Sequence, residues 1–460
     1  MGEAQMRVLV VGTGYVGLTT GVVLAFLGHQ VVCLDVDEKK INLLREGQPP
    51  IYEPGLPELM ALAKDNLQFT TSYDESGIRT CDVVFIAVGT PALADGSSDL
   101  SQVKAAAEAI GERLDDHFTV VVNKSTVPIG SGNWVEMLVR DAYKKCKGSK
   151  PDGNYAVASN PEFLRQGSAI FDTLYPERIV IGASNTRAID VLTNLYRPLL
   201  NQDFSSPVFQ PRPEELSAVP VVTCDLASAE LIKYAANAFL AIKISFANEM
   251  AQLTARVGAN ITYVTQGIGL DSRIGPRFLQ AGIGWGGSCF GKDTAALMST
   301  SKEYGLAMPI VQAAREVNYR QRLWVVETLL RELKILKGRT IALLGFAFKP
   351  NTDDLRDAPA LDIARQLIQK GARVKATDPV ALGNARKLYP DLGVTYCDKP
   401  LEALQDADAI VLVTEWPAYC QLNWMEIKSM LAKPLIVDGR NFLDREELER
   451  LGYRFIGVGR

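Results

Sequence analysis

The sequence predicts an α/β protein with two doubly wound sheets and a mostly helical region between them in the chain. Near the start, the apolar run 7–11 leads into a glycine-rich turn and an apolar helix, which is the order of a strand–turn–helix unit. A long helical pattern begins at Asp225, and the strand–turn–helix order returns after Gly338. We therefore expect three domains, over residues 1–222, 223–335 and 336–460.

Composition excludes several classes of protein. The 460 residues are enough for two or three domains, and no apolar run is long enough to span a membrane. A net charge of −4 without a basic block argues against a nucleic-acid partner. Seven scattered cysteines without a CxxC motif argue against disulfides and a zinc site, so we expect no metal and a reducing, cytoplasmic compartment. The only histidines, His29 and His117, are expected to be solvated, which leaves acid–base chemistry to carboxylates, a lysine or a cysteine.

The first turn predicts a dinucleotide site. Gly12, Gly14 and Gly17 form G-x-G-x-x-G between a strand and a helix, so the backbone can approach a pyrophosphate at the helix N-terminus. The next strand ends in Asp35, which would bond the ribose hydroxyls and repel a 2′-phosphate. The alternative is a glycine-rich loop without a ligand, but strand, helix and acid together favour NAD binding over NADP.

Polar residues follow the remaining strands of this domain. Thr90 and Thr126 come after two apolar strands, at the edge where open α/β sheets bind ligands, and the alternative for each is a helix N-cap. Glu162 follows another strand and could act as a general base. The strand at 178–182 is expected to close the sheet, and the proline-rich stretch 207–222 to be a linker or surface loop.

The helix that begins near Asp225 carries two polar residues in apolar surroundings. Lys233 and Asn237 are four residues apart and so share one face. Since helices that are apolar all round are buried, these two side chains need partners and would suit a developing oxyanion. The alternative is a solvated stripe. Long buried helices also favour a dimer interface in this region.

The stretch 284–293, Gly-Trp-Gly-Gly-Ser-Cys-Phe-Gly-Lys-Asp, predicts a nucleophile at Cys289. The glycines let the backbone bend sharply and a ligand approach it closely. Lys292 would favour the thiolate, which is the nucleophilic form. The alternative is a buried, inert thiol, and the neighbouring Ser288, Lys292 and Asp293 favour the nucleophile.

The C-terminal part repeats the first domain in a shorter form. A strand at 340–344, a turn at 345–349 and a helix lead to a second strand that ends near Asp378. The full glycine fingerprint is missing, so we expect this domain to bind something other than the NAD core. Arg440 follows the last strand, where an arginine suits a phosphate, and the alternative is an exposed surface charge.

These motifs together resemble the UDP-glucose/GDP-mannose dehydrogenase family over nearly the whole chain. The resemblance rests on GTGYVG, the tripeptide Gly-Thr-Pro that contains Thr90, STVP, NPEFL, ELIKYAANAFLA, GWGGSCFGKD, GFAFKPNTDDLRDAP and DGR. GGSCF-x-KD is the most specific, because relatives that act on other nucleotide sugars vary there. The resemblance implies one Rossmann domain for NAD, a Rossmann-like domain for the UDP-sugar, and a homodimer or higher oligomer through the central helices.

The resemblance also implies a four-electron oxidation. C6 of UDP-glucose, a primary alcohol, becomes the carboxylate of UDP-glucuronate for polysaccharide biosynthesis, with two NAD⁺ consumed. By similarity, Cys289 attacks the aldehyde formed first, and the thiohemiacetal is oxidised to a thioester that water hydrolyses. Lys233 and Asn237 would stabilise oxyanions. Glu162, Asp293 and Thr126 (the last through a water) would activate water and transfer protons.

Ligand contacts are implied position by position. The implied NAD contacts are Gly12, Gly14, Tyr15, Val16, Gly17, Asp35, Lys40, Thr90, Thr126, Lys292 and Arg356. The implied substrate contacts are Glu162, Phe163, Leu164, Lys233, Asn237, Phe278, Leu279, Gln280, Ala281, Gly282, Gly286, Lys349 and, less closely matched, Arg440. Arg273 is similar to the arginine that family members extend across a dimer to the partner's sugar nucleotide.

The sequence departs from the family pattern in two places, and two other hypotheses stay open beside the resemblance. Gln166 stands where many relatives have a glutamate, and the proline-rich stretch is longer than usual and has no assigned function. One alternative is an NAD-binding sensor or structural oligomer without catalysis, against which the intact Cys289, Lys233, Asn237 and Asp293 argue. Another is oxidation of GDP-mannose or a UDP-N-acetylhexosamine.

Overall fold

The structure is a computed structural model that describes residues 5–460. The chain forms two compact units, Met1–Ala235 and Ala236–Arg460, and the boundary falls inside one long helix. The central helices after residue 235 belong to the second unit. The division into three domains stays a prediction.

The first unit is a doubly wound α/β sheet. Its strands are β1 (Arg7–Val11), β2 (Gln30–Leu34), β3 (Leu67–Thr70), β4 (Val83–Ile86), β5 (Thr119–Asn123), β6 (Tyr155–Ser159), β7 (Ile179–Gly182) and β8 (Val221–Cys224). Its helices are α1 (Tyr15–Phe26), α2 (Glu38–Arg45), α3 (Leu56–Ala63), α4 (Ser101–Arg113), α5 (Ser131–Lys147), α6 (Ala169–Leu174), α7 (Thr186–Leu195) and α8 (Arg197–Asn201).

The strand order β3-β2-β1-β4-β5-β6-β7-β8 places β1 inside the sheet, and the chain winds outward from it in both directions. Neighbouring strands are parallel except β6 and β7. Val8 and Val10 of β1 pack into one apolar core and Leu9 and Val11 into another, because successive side chains point to opposite faces. Both faces are therefore covered, and ligands can reach the sheet at the carboxyl ends of its strands.

The proline-rich stretch is a loop inside the first unit. It connects α8 to β8, which pairs in parallel with β7, so the sheet extends one strand beyond the predicted last strand at 178–182. Val219 is buried, and its N–H bonds the carbonyl of Leu200 at 2.8 Å. Of the two predicted possibilities, a linker between domains or a surface loop, the stretch is the surface loop.

The second unit combines long helices with a smaller sheet. The helix α9 (Leu226–Val257) spans the boundary and is followed by α10 (Ile261–Gly269), α11 (Phe290–Glu303) and α12 (Pro309–Leu333). The strands are β9 (Thr340–Leu344), β10 (Arg373–Thr377), β11 (Val394–Tyr396), β12 (Ala409–Leu412), β13 (Leu435–Asp438) and β14 (Arg454–Gly457). The remaining helices are α13 (Pro359–Gln369), α14 (Leu382–Leu388), α15 (Pro400–Leu404), α16 (Trp424–Met430) and α17 (Arg445–Arg450).

The order of the second sheet, β11-β10-β9-β12-β13-β14, again has its first strand inside, and every neighbouring pair is parallel. This confirms the predicted fold class of two doubly wound sheets with a helical region between them in the chain. No helix in residues 5–460 is long and apolar enough to cross a membrane.

The helix α9 is not buried all round, contrary to the expectation from its composition. Phe239, Phe246 and Leu253 follow one another at seven-residue intervals and are 63%, 46% and 53% exposed. A seven-residue repeat keeps them on one side of the helix. One side of α9 is therefore apolar and exposed along these three positions.

His29 is buried, so the expectation that both histidines are solvated is wrong for this one. Its Nδ1 accepts the Met6 N–H at 3.3 Å, and Nε2 lies 3.1 Å from the carbonyl oxygen of Leu195. His117 lies at the surface with Nε2 3.1 Å from Asp82. Neither histidine has a predicted catalytic role.

Candidate active site

The turn after β1 leaves one glycine, Gly14, open. Gly12 has φ +102°, and an added Cβ would meet the Ala87 carbonyl oxygen at 2.5 Å; a Cβ on Gly17 would meet the Gly12 oxygen at 1.9 Å. Nothing lies within 4 Å of a Cβ placed on Gly14. Gly14 is the N-cap of α1, and within the described chain no side chain caps this helix end. Open N–H groups at a helix N-terminus fit the pyrophosphate of NAD.

Asp35, at the carboxyl end of β2, lies beside this turn. Its carboxylate accepts the Thr13 N–H at 2.9 Å, the Thr13 hydroxyl at 2.7 Å and the Asp37 N–H at 3.0 Å, and Lys40 Nζ lies 3.9 Å away. Burial opposes ionisation, but these hydrogen bonds and the Lys40 charge outweigh it and lower the pKa of Asp35. The structure thus brings Asp35 and Lys40 to the glycine turn with the negative charge that a ribose contact needs.

The other predicted cofactor residues of the first unit also follow strand ends. Tyr15 and Val16 begin α1, and the Tyr15 hydroxyl donates to the Tyr52 carbonyl at 2.6 Å. The Thr90 hydroxyl donates to the Thr126 carbonyl at 2.8 Å. Since α4 and α5 have other N-cap residues, the alternative that these threonines cap helices is wrong.

Glu162 and Lys233 form a buried ion pair. Lys233 Nζ donates to Glu162 Oε1 at 2.9 Å and to the Glu162 carbonyl at 2.7 Å. Lys233 is 4% exposed and Glu162 is 9% exposed. Glu162 Oε2 accepts the Leu164 N–H at 2.9 Å. The Phe163 ring lies 3.9 Å from the guanidinium of Arg178. Lys233 therefore has a buried partner, and the solvated-stripe alternative is wrong for it.

Lys124, directly after β5, is a buried cation that sequence reasoning missed. Its Nζ donates to Asn160 Oδ1 at 2.9 Å, and the Tyr196 hydroxyl donates to the same oxygen at 2.6 Å. The pKa of Lys124 is lowered to about 8, mainly by burial. The Glu162 carboxylate raises this pKa, and the Lys233 charge lowers it. A lysine at the end of a continuous apolar strand was the signal that could have identified it.

Glu230 on α9 was missed as well. Its carboxylate accepts the N–H groups of Gly130 at 2.6 Å and Gly132 at 2.7 Å, where α5 begins. Burial raises the pKa of Glu230 to about 7, although these two hydrogen bonds lower it. A cavity of about 10 Å³, close to the lower limit for one water molecule, adjoins Glu230. It is lined by Ser125, Thr126, Val127, Ser159, Pro161, Glu230, Lys233 and Tyr234.

In the second unit, three predicted residues meet at a buried carboxylate. Asp293 is 1% exposed, and its Oδ2 accepts Asn237 Nδ2 at 2.6 Å. Lys292 Nζ lies 2.7 Å from the other oxygen, Oδ1. Asn237 is on α9, and Lys292 and Asp293 are in the first turn of α11. The contact gives Lys292 a structural partner in Asp293, and its role toward NAD stays a prediction.

Cys289 is exposed and is the N-cap residue of α11, so the alternative of a buried, inert thiol is wrong. Its Sγ lies 3.6 Å from the Ser288 hydroxyl, and its carbonyl accepts the Asp293 N–H at 2.8 Å. The N-terminal end of a helix stabilises negative charge. The position therefore suits a sulfur nucleophile that a carbonyl substrate can reach.

The loop before Cys289 is clamped by α12, which the sequence did not predict. Asn318 accepts the Trp285 N–H at 2.7 Å and donates to the Trp285 carbonyl at 3.0 Å, and Arg322 donates to that carbonyl at 2.8 Å. Gly284 has φ +95°, and an added Cβ would meet Asn318 Oδ1 at 2.6 Å. The side-chain space at Gly284 is thus filled by protein, and the expectation that the loop glycines let a ligand approach the backbone closely stays a prediction.

Gly286 and Arg440, two implied substrate contacts, are engaged with the protein. A Cβ on Gly286 would meet the Asp357 carbonyl oxygen at 2.3 Å. Arg440 donates to the carbonyls of Val413 at 2.8 Å and Gly284 at 3.0 Å, so it is not an exposed charge. Arg440 braces the cysteine loop, and the substrate contacts at both positions stay predictions.

The remaining predicted residues of the second unit are dispersed along it. Arg273 and Arg356 each form a forked ion pair with the aspartate two residues before, and Lys349 Nζ lies 5.6 Å from the centre of the Phe348 ring. Phe278 has φ +64°, a conformation that bulky residues rarely adopt and that occurs at ligand sites. Within the implied substrate segment, Leu279, Ala281 and Gly282 are buried and Gln280 is exposed.

The second sheet has an aspartate, Asp378, at the position of Asp35, directly after β10. Asp378 accepts the N–H groups of Phe346 at 2.7 Å and Ala347 at 3.0 Å, the Trp416 indole N–H at 3.1 Å, and two further backbone N–H groups. Both carboxylate oxygens are thus bonded to the protein. Both oxygens of Asp35 are bonded to the protein as well, so this aspartate does not separate the two sheets, and the expectation that the second sheet does not bind an NAD core stays a prediction.

Known proteins match the chain along its length. Residues 6–200, 227–320 and 342–445 match the NAD binding, central and UDP binding domains of the UDP-glucose/GDP-mannose dehydrogenase family. No group of three or more His, Cys, Asp or Glu side chains in residues 5–460 could hold a metal ion.

Individual relatives are similar over nearly full length. UDP-glucose 6-dehydrogenase TuaD of Bacillus subtilis is 45% identical over 456 residues, which cover 99% of this chain and 93% of the relative. UDP-glucose 6-dehydrogenase of Rhizobium meliloti is 45% identical over 99% of this chain and 100% of its own. The solved structure of a UDP-glucose dehydrogenase from the archaeon Pyrobaculum islandicum has a TM-score of 0.87 and 39% identity, covering 100% of this chain and 98% of that one. The chain therefore belongs to the UDP-glucose/GDP-mannose dehydrogenase family, and it is an oxidoreductase with NAD as its cofactor.

Proposed function

We propose that this protein oxidises C6 of UDP-glucose to the carboxylate of UDP-glucuronate. The observation that carries the proposal is Cys289, an exposed thiol at the N-terminus of α11, with the Asp293 that Asn237 and Lys292 hold on the same helix turn. The relatives described as UDP-glucose 6-dehydrogenases support UDP-glucose as the sugar nucleotide. The match of residues 342–445 to a UDP binding domain supports a site there for the UDP part.

A covalent intermediate at Cys289 divides the oxidation of C6 into two easier steps. Loss of a hydride and a proton converts the primary alcohol to an aldehyde. The Cys289 thiol then adds across the carbonyl, sulfur to carbon and proton to oxygen, and the thiohemiacetal loses a second hydride and proton to become a thioester. Water displaces the sulfur, which releases the carboxylate and regenerates the thiol. NAD⁺, when bound, accepts the hydride in each oxidation.

The other residues stabilise charge and move protons. The Lys233 ammonium and the Asn237 amide are donors that stabilise the oxyanions formed at C6. Glu162 and Asp293 accept and return protons, as buried carboxylates do in acid–base catalysis. Thr126 adjoins the one-water cavity and positions a water molecule.

The protein acts as a homodimer through α9. The stripe of Phe239, Phe246 and Leu253 supports a second copy of this chain as the partner, because its seven-residue spacing suits the packing of helix on helix. Arg273 is largely exposed and available to a partner's sugar nucleotide. No disulfide joins the seven cysteines, all of them among the described residues, which supports a reducing, cytoplasmic compartment.

The test is formation of the acid by cysteine variants. Cys289→Ala and Cys289→Ser are compared with wild type and with Cys146→Ser, which alters another exposed cysteine on α5. Chromatography of the products with UDP-glucose, GDP-mannose and a UDP-N-acetylhexosamine measures both chemistry and specificity. We expect UDP-glucuronate from wild type and Cys146→Ser only. Unimpaired acid formation by Cys289→Ser would contradict the covalent route, and faster oxidation of another sugar nucleotide would contradict the substrate.

A further inference from the structure

Glu53 is a buried carboxylate that has no assigned function. It lies in the turn between α2 and α3, is 4% exposed, and accepts the N–H groups of Gly167 and Ala169 at 2.7 Å each. These N–H groups lie where α6 begins and where the loop that carries Glu162 ends. Hydrogen bonds to a charged carboxylate are stronger than those between neutral groups, so Glu53 holds the backbone at Gly167 and Ala169 in place.

The turn that contains this carboxylate also contacts the cofactor turn and the proline-rich loop. The Tyr52 carbonyl accepts the Tyr15 hydroxyl at 2.6 Å. A Cβ on Gly55, which has φ +82°, would meet the Phe209 ring of the proline-rich loop at 3.1 Å. Tyr175, at the C-terminus of α6, donates its hydroxyl to a carbonyl of the same loop at 2.7 Å. The helix α6 is thus held at both ends, and the proline-rich loop has a structural function.

From these contacts we propose that Glu53 is a positioning residue that holds the loop 162–167 in the conformation that binds the sugar nucleotide. The proposal rests on the proposed function, since Glu162, Phe163 and Leu164 are implied substrate contacts. Lys233 fixes the start of this loop through Glu162, and Glu53 fixes its end. Without Glu53, only a fraction of the molecules would hold the loop ready for substrate, and the apparent affinity falls by that fraction.

The test uses Glu53→Gln, with Glu58→Gln as a matched control. The first variant keeps the shape but turns an amide NH₂ toward a backbone N–H, whereas Glu58 is exposed in the first turn of α3. We expect the KM for UDP-glucose to rise about tenfold in Glu53→Gln, as for the loss of one charge-assisted hydrogen bond, with the KM for NAD⁺ within about twofold of wild type. Glu58→Gln should match wild type. A lower kcat and Tm with both KM values unchanged would show a merely structural role and overturn the proposal.

A second readout does not depend on turnover. Arg165 is exposed within the loop and paired with Asp172, so trypsin cleavage after Arg165, identified by mass spectrometry, reports how often the loop opens. We expect faster cleavage there in Glu53→Gln and unchanged cleavage in Glu58→Gln. An unchanged rate in Glu53→Gln overturns the role of Glu53 even if UDP-glucose is oxidised. Absence of UDP-glucose oxidation by wild type, with faster cleavage in Glu53→Gln, overturns the proposed function instead.

Discussion

Gly14 and Gly17 separate the folding role of the glycine turn from its role in binding NAD. Gly14→Ala should leave the fold intact and weaken NAD binding, whereas Gly17→Ala should damage the fold itself. Gly14 has φ −72°, which alanine adopts readily, and nothing lies within 4 Å of the added methyl. In Gly17→Ala the methyl would lie 1.9 Å from the Gly12 oxygen and 3.2 Å from Ala87 Cβ, so the backbone must move.

The magnitudes follow from these distances. At an N-cap, exchanging glycine for alanine costs less than about 1 kcal/mol of stability. The methyl of Gly14→Ala occupies space that the pyrophosphate needs, so the NAD affinity should fall about tenfold or more, which is 1.4 kcal/mol. Because the methyl of Gly17→Ala would lie 1.9 Å from a backbone oxygen, overpacking should cost about 3 kcal/mol, the upper end of its usual range, against a gain of about 1 kcal/mol in helix propensity. A net loss of about 2 kcal/mol lowers Tm by about 4–8 °C in a unit of this size.

Thermal unfolding without ligand and calorimetric titration with NAD⁺ measure the two effects separately. Gly267→Ala is the control, because this helical glycine in α10 also has nothing within 4 Å of an added methyl. Its NAD affinity should equal wild type, and its Tm should not fall, since alanine gains up to about 1 kcal/mol in helix propensity. Wild-type NAD affinity in Gly14→Ala would refute the assignment of the open backbone to the pyrophosphate. An unchanged Tm in Gly17→Ala would refute the steric argument.

Further predictions concern the buried charges and the exposed helix face. Lys233→Met should lower the free energy of unfolding by about 3–5 kcal/mol, because it leaves Glu162 buried without its partner, and adding Glu162→Gln should recover part of the loss. Urea denaturation measures the free energy of unfolding. The control, Lys145→Met at an exposed position, should change it by no more than about 0.5 kcal/mol. Equal stability of Lys233→Met and wild type would show that the Lys233–Glu162 ion pair does not stabilise the fold. Because the pKa of Lys124 is lowered to about 8 in the folded state and is about 10.4 when unfolded, the unfolded chain binds the extra proton between these values. The free energy of unfolding of wild type should therefore increase relative to that of Lys124→Met as pH rises from about 8 to about 10. Parallel stability–pH profiles of the two proteins would exclude the lowered pKa of Lys124. Phe239→Glu places a charge on the α9 stripe, so if the proposed dimer forms through this stripe, the variant should sediment as a monomer where wild type sediments as a dimer. A dimer that persists in the variant would place the interface elsewhere.

The sequence predicted the features that depend on neighbouring residues. The glycine turn and Asp35 were recognised because strand, turn, helix and acid follow one another within one βαβ unit. Cys289, Lys292 and Asp293 were recognised because they lie within five residues of one another. Local order of this kind also predicts both doubly wound sheets, since the apolar strand pattern repeats after Gly338.

Contacts between distant parts of the chain could not be predicted in this way. The partners of Glu53 are backbone N–H groups more than a hundred residues away, and backbone groups leave no sequence signal. The same reason hides Glu230, which binds the start of α5, and Asn318, which clamps the cysteine loop. The composition of α9 predicts burial but does not say which of its apolar residues lie in the core of the chain and which, like Phe239, Phe246 and Leu253, stay exposed.

The number of NADH molecules formed per UDP-glucose tests the central claim most directly. Purified wild-type protein is mixed with limiting UDP-glucose and excess NAD⁺, and NADH is followed by its absorbance to completion. Oxidation through a Cys289 thioester predicts about two NADH per sugar, because two hydrides leave C6. A value of about one would mean that the reaction stops at the aldehyde, and no NADH would mean that UDP-glucose is not the substrate; either result would contradict the account.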